Sequence, residues 1–120
     1  MGEIRKFETG ATRDTDKNKL DYEGFISPVV LKRYAEYLNK HRVQSDGNLR
    51  ASDNWQKGIP KDQYMKSLLR HVVDVWLNHR GEYVETTEPM IDSLMAIVFN
   101  ALGYAFELER EAKIRKATNP

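Results

Sequence analysis

Residues 59–81, IPKDQYMKSLLRHVVDVWLNHRG, decide how this chain folds, because they read as one long helix with both ends marked. Pro60 suits a first helical turn, where its missing N–H would have had no partner, and Gly81 can take the left-handed conformation that closes a helix. In steps of three and four, Met65, Leu68, Leu69, Val72, Val75 and Trp76 make one broad apolar face, which the spacing predicts to be the buried one. Tyr64, Ser67, His71, Asp74 and Asn78 form a second stripe beside it. Polar groups that border a buried face either pair with a neighbouring helix or line a pocket, since a dry, unpaired polar group is costly. The stripe therefore marks the place to look for a site.

Upstream, Ser27 can cap a helix whose first position is Pro28, and Val30, Leu31, Tyr34 and Leu38 share one side of it as far as Arg42. Residues 43–58, VQSDGNLRASDNWQKG, then form a loop of about sixteen residues, longer than the roughly two to eight usual between helices. Trp55 within it has two roles open. It can plug the end of the core, or it can be a stacking platform for a base or sugar, with Asn54 offering a donor and an acceptor to a base edge.

Downstream, Thr86 or Thr87 can cap a last helix over residues 88–112, with Pro89 in its first turn. Its centre, LMAIVFNALGYAF, is apolar almost all the way round. A helix of that kind left half exposed would present a large apolar patch. It is therefore expected to be covered on several sides, in a homodimer or higher closed oligomer. Asn100 and Gly103 interrupt it too much for a membrane span. Asp92, Ala96, Gly103 and Glu107, with Asn100 a little to the side, make a small and polar line where another backbone can come close. Residues 110–120 are charged and expected to fray.

Residues 1–26 show neither a helical nor a strand period. They form either a loosely held arm or one that lies across the body through Leu20, Tyr22, Phe25 and Ile26, delivering Arg13, Lys17 and Lys19 for phosphate oxygens. The expected fold is all-α, a small bundle of three main helices with an N-terminal arm, one domain over residues 1–120, oligomeric.

The 19 Lys and Arg against 18 Asp and Glu leave a formal charge of +1, so no general attraction to DNA or to an anionic membrane is expected. The absence of cysteine removes disulfides, thiolate metal sites and a cysteine nucleophile. With no apolar run near its start, the chain is expected to be cytoplasmic. Ser67 lies one helical turn before His71, but a helix-borne serine without an oxyanion loop is no hydrolase site. Asp74 and Asp92, with His71, could hold magnesium or manganese through oxygen and imidazole ligands. Equally, His71 could pair with Asp74 or Asp92 as a satisfied structural link, and Arg70 or Arg80 could neutralise the acids.

The run ETGATRDTDKNKLDYEGFISP, the loop DNWQKGIP, then RHVVDVW and AIVFNALGY, in that order, resemble a family of small, mostly phage-encoded proteins, the dATP/dGTP diphosphohydrolase N-terminal domain. The likeness runs from Thr9 to Leu108. It implies a helical nucleotide-binding protein, loosely associated with the all-alpha nucleoside triphosphate pyrophosphohydrolases, with Gly10, Arg13, Asp14, Lys19, Asn54, Trp55, Gly58, Arg70, His71 and Asn100 at characteristic positions. Those pyrophosphohydrolases resemble one another in EExxE and ExxD motifs that hold magnesium; here the corresponding helices offer Asp74 on one and Glu88 and Asp92 on the other.

Three functions are thus expected in turn. The first is a binding protein for a purine nucleotide or a nucleotide-derived immune signal, linear or cyclic, acting in the cytoplasm of an infected bacterial cell. It needs no cofactor: Arg13, Lys19 and Arg70 take phosphate, Trp55 or Tyr22 stacks a base, and Asn54, His71 and Asn100 supply hydrogen bonds. The second is a Mg2+- or Mn2+-dependent pyrophosphohydrolase with Asp74 and Asp92 as ligands and His71 orienting water. The third is an interaction-only oligomer.

Overall fold

A computed structural model describes residues 3–15, 18–82 and 87–118. The chain divides into two compact units, Met1–Leu31 and Lys32–Pro120. The first unit opens with an antiparallel pair, β1 (Ile4–Lys6) and β2 (Thr12–Asp14), in the register Ile4↔Asp14 and Lys6↔Thr12. Gly10, at φ 89°, turns the connection, with Phe7 N–H donating to the Ala11 carbonyl at 2.9 Å. This hairpin stands where the sequence shows no period, because three-residue strands are too short to display one. A four-residue helix, α1 (Tyr22–Phe25), follows, capped by Asp21, whose side chain accepts from Gly24 N–H at 2.9 Å. Leu20, Tyr22, Phe25 and Ile26, the anchors of one of the two expected arrangements of this arm, are exposed.

The three main helices are α2 (Pro28–Lys40), α3 (Lys61–His79) and α4 (Met90–Thr118). Ser27 caps α2 as expected, its hydroxyl accepting from Val30 N–H at 3.3 Å. Pro60 stands just before α3 in extended backbone rather than inside its first turn. The end of α3 is closed by Gly81 at φ 71°: its N–H donates to the Asn78 carbonyl at 3.1 Å, and Glu82 N–H donates to the Leu77 carbonyl at 2.9 Å. That pair of bonds satisfies the carbonyls left over at a helix end. Thr86, the alternative cap for α4, lies outside the described residues. The charged tail does not fray before Thr118, since REAKIRKAT continues α4 with residues that mostly favour helix.

The core of the second unit is the α3–α4 contact, and here the structure overturns the expected burial. Most of the stripe read as polar faces inward: Tyr64 is 2% exposed and Ser67, His71 and Asp74 are half-buried, while Asn78 at its end is exposed. The face read as buried is split: Leu68 and Val75 are half-buried, whereas Met65, Leu69, Val72 and Trp76 are exposed, Trp76 at 61%. The cause sits on α4. Gly103 has no side chain, and a Cβ there would overlap the Tyr64 ring, so Tyr64 lies directly on the α4 backbone. The close approach expected along Asp92, Ala96 and Gly103 is thus made by an aromatic ring. Phe99 completes the contact, its ring 5.9 Å from that of Tyr64 at 64°.

Helix α2 is tied to the start of α4 through Asp92, which is 1% exposed. One of its oxygens accepts from Arg33 Nη2 at 3.0 Å and the other from Lys40 Nζ. Arg33 and Lys40 are seven residues apart, about two helical turns, so one face of α2 delivers both cations to a single carboxylate. The Lys40 bond chiefly holds the Asp92 carboxyl below its ordinary 3.8, against the opposing effect of burial.

Candidate functional site: a cavity walled by three helices and the Trp55 turn

Within the second unit, the end of α2, the loop after it, the middle of α3 and the middle of α4 enclose a cavity of about 310 Å3. That is the lower end of the range for small-molecule pockets. Its floor is polar and comes from the two packed helices: Ser67 and His71 from α3, and Asn100 with Ala96 and Phe99 from α4. Asn100 is 5% exposed and spends its amide donors locally, on Ser67 Oγ at 3.2 Å and on the Ala96 carbonyl at 2.8 Å. It therefore braces the floor rather than offering those protons to a ligand.

One wall is the loop after α2. Val43 and Leu49 pair in an antiparallel bridge around a turn in which Gly47, at φ 85°, donates to the Gln44 carbonyl at 2.9 Å. Arg42 locks this miniature hairpin. Its Nε donates to the Arg50 carbonyl at 2.8 Å and its Nη1 to Asn39 Oδ1 at 3.3 Å, while Arg50 N–H donates to the Arg42 carbonyl at 2.7 Å. Both arginines line the cavity. The Arg42 guanidinium is partly spent on the loop, whereas that of Arg50 has no partner among the described residues. Five fixed donors on an exposed guanidinium suit a phosphate or carboxylate.

The opposite wall is Trp55, in a 3-10 turn over Asn54–Lys57. Its ring meets Phe106 edge-on at 4.7 Å, and Arg110 clamps the turn by donating to the carbonyls of Gln56 at 3.0 Å and Lys57 at 3.4 Å. The Glu107 carboxylate accepts from Ile59 N–H at 3.3 Å. Trp55 thus seals the core end and, with Asn54, also faces the cavity, so the two roles open for it coexist.

A cluster of titratable groups lies at the remaining edge. Tyr37 and His41 meet with ring centres 4.4 Å apart and planes tilted by 49°. Burial, with help from the Glu88 and Asp92 charges and a hydrogen bond to Glu88, pushes the Tyr37 hydroxyl up to about 12. Ser93 Oγ donates to Glu88 Oε2 at 3.3 Å, and His71 Nδ1 lies 3.7 Å from that oxygen. The distance allows an ion pair if His71 is protonated but is too long for a hydrogen bond. His71 Nδ1 is buried without a hydrogen-bond partner among the described residues.

Of the residues singled out by sequence, Asn54, Trp55, His71 and Asn100 come together on this cavity. Arg70 is exposed and does not line it; Arg13 on β2, Lys19 and Tyr22 at the start of α1 belong to the first unit and are exposed there. Lys17 lies outside the described residues. The partner of His71 is Glu88, not Asp74 or Asp92. Asp92 has both oxygens committed to cations, and the described residues bring no three His, Asp or Glu side chains together as a metal group. Asp74, Asp92 and His71 are thus not gathered as a metal set among the described residues. Arg42, Arg50 and Tyr37 are the site residues that sequence reasoning missed. A hairpin signal, Asp46-Gly47 between Val43 and Leu49, was available to place the two arginines side by side.

Comparison with protein-family models, with curated proteins and with solved structures returned no match.

Proposed function

We propose that this chain binds a purine nucleotide or a nucleotide-derived signal, linear or cyclic, and sequesters it intact, as a homo-oligomer in the cytoplasm of a phage-infected bacterium. The observation that carries the reading is the juxtaposition of Arg50 and Arg42 with Trp55 around one cavity of about 310 Å3. Arg50 takes phosphate charge, Trp55 or Tyr37 stacks the base, and Asn54 with Ser52 reads its edge. The bound phosphate needs no metal here, because a guanidinium supplies charge and hydrogen-bond geometry together. The sequence resemblance to a phage nucleotide-handling family supports the same ligand class.

The test is to incubate the protein with dATP, dGTP and cyclic dinucleotides plus magnesium, filter off the protein, heat it and chromatograph both fractions. The expected result is intact nucleotide missing from the filtrate and recovered on heating. Arg50→Ala should weaken binding about 10- to 100-fold, the value of roughly 1.5–3 kcal/mol for hydrogen bonds to a charged group. Complete recovery of every nucleotide in the filtrate overturns the reading.

One observation favours a second reading, a pyrophosphohydrolase. His71 stands on the cavity floor with the Glu88 carboxylate 3.7 Å from its Nδ1, near enough to orient a histidine base toward water once the two draw into hydrogen-bond distance. Deoxynucleoside monophosphates in the filtrate would establish that reading and remove sequestration.

A further inference from the structure

The apolar character of α4 does not end at the core. On the side of the helix away from Ala96, Asn100 and Gly103 lie Ile91, Leu94, Val98, Ala101, Ala105 and Leu108, spaced alternately three and four residues apart. That is the spacing of a coiled-coil seam, with Ala96 and Gly103 at the position pointing directly away from it. Ile91 and Leu94 are each 37% exposed and Leu108 46%, Ala101 and Ala105 are exposed, Val98 is half-buried, and Leu102 beside them is 54% exposed. No charged residue stands on the seam over these six positions.

We propose that this face of α4 is a two-fold interface with a second copy of the chain, the two α4 helices running antiparallel. The direction follows from the residue sizes. Antiparallel pairing with Leu94 opposite Ala105, Val98 opposite Ala101 and Ile91 opposite Leu108 of the second copy sets a large side chain against each alanine, so the layers fill evenly. A parallel pairing would stack Ala101 on Ala101 and Ala105 on Ala105, leaving two thin layers in mid-seam. The antiparallel pairing also opposes the two helix dipoles and keeps Ile97 and Tyr104 together along its flank. Each contact occurs twice, as a closed two-fold interface requires. A lipid bilayer is the less suitable occupant, although α4 is long and apolar enough to cross one. Its opposite face carries the Asp92 ion pairs and the Asn100 bonds to Ser67 and Ala96, and its last turns are charged. The interface deepens the oligomeric part of the proposed function and needs no nucleotide. Retention of a nucleotide by a strictly monomeric protein would remove this interface and leave the binding reading intact.

The chain has no native cysteine, so introduced pairs report cleanly. Positions 94 and 105 lie eleven residues apart on one helix, about 16 Å, beyond disulfide reach within a chain. In the full chain, the double variant L94C/A105C is expected to form a covalent dimer under mild oxidation, while L94C alone and A105C alone do not. Light scattering of the wild type should give twice 14.0 kDa, and A101E, a charge at an exposed position, should give the monomer mass with unchanged helical circular dichroism. The proposal is overturned by a wild type that stays monomeric at high micromolar concentration, by single variants that cross-link as readily as the double one, or by wild-type protein that floats with phosphatidylcholine vesicles instead of dimerising.

Discussion

Replacing Asp92 with asparagine separates a structural carboxylate from a metal ligand. Asp92 is 1% exposed and receives Arg33 and Lys40, so the substitution keeps the shape of the side chain and removes the charge that both cations were bound to. Breaking a buried ion pair costs about 3–5 kcal/mol when it strands a buried partner. Here the partners keep 45% and 53% of their side chains in solvent and can rehydrate. The loss is therefore smaller, about 2–3 kcal/mol, in the range of hydrogen bonds to charged groups. For a chain of this length that is a fall in Tm of roughly 10 °C. The assay is urea or thermal unfolding followed by circular dichroism, at neutral pH and again under acid. Because the folded-state pKa of Asp92 is lowered, its contribution is present above the ordinary 3.8 and is lost as pH falls through the folded value. The gap between wild type and D92N should accordingly close in acid, and it should be indifferent to chelator or magnesium. A D92N protein as stable as wild type at pH 7, or more stable, would refute the reasoning, since relief of repulsion between vacant ligands is what a metal site would give.

Four further outcomes follow from the packing. Gly103→Ala should destabilise by about 1–3 kcal/mol, because its methyl group meets the Tyr64 ring on the α4 backbone, and Tyr64→Phe should be neutral or stabilising in the same unfolding assay, since the Tyr64 hydroxyl is buried without a hydrogen-bond partner among the described residues. In an ultraviolet titration of tyrosinate, Tyr37 should ionise near pH 12, absent from the Tyr37→Phe trace; a folded pKa raised above 10.0 means that its contribution to stability is whole below pH 10 and lost as pH rises through about 12. Arg110→Ala should release the Trp55 turn at a cost of about 1 kcal/mol and red-shift tryptophan emission, with the Trp76→Phe background isolating the Trp55 signal.

How much of this was legible in the sequence depended on whether a feature was local. The Ser27 cap, the closing turn at Gly81 and the three main helices each rest on residues within one or two turns of one another, and the structure has them. The cavity was half legible for the same reason: Ser67 and His71 share a stripe, and Asn54 and Trp55 are neighbours. Its cations were legible only through the Asp46-Gly47 hairpin signal, since Arg42 and Arg50 meet across the Val43–Leu49 bridge. The choice between the two stripes of α3 was not legible from α3 at all. Periodicity reports that a face exists, and the partner's shape decides which face is used. Gly103 admits a ring, so Tyr64 goes in and brings Ser67, His71 and Asp74 toward α4 with it.

That inversion has a physical cost which the chain leaves standing. A helix pair that packs through tyrosine, serine, histidine and asparagine gains less from water exclusion than one that packs through leucine and valine. Meanwhile Met65, Leu69, Val72 and Trp76 on α3, and Ile91, Leu94 and Leu108 of the seam on α4, keep more than a third of their surface in solvent. The buried hydrophobic residues among those described are Tyr64, Met95 and Ala96, too small a core to offset the ordering of over a hundred residues. The polar groups turned inward make a cavity floor, and the apolar groups turned outward make a surface that a second copy can cover. On this arrangement stability should rise with protein concentration, as it does for chains whose folding and association are one equilibrium. An unfolding midpoint that stays constant from low to high micromolar protein would show instead that the α3–α4 pair suffices alone, and the polar contact would then be stronger than its composition implies.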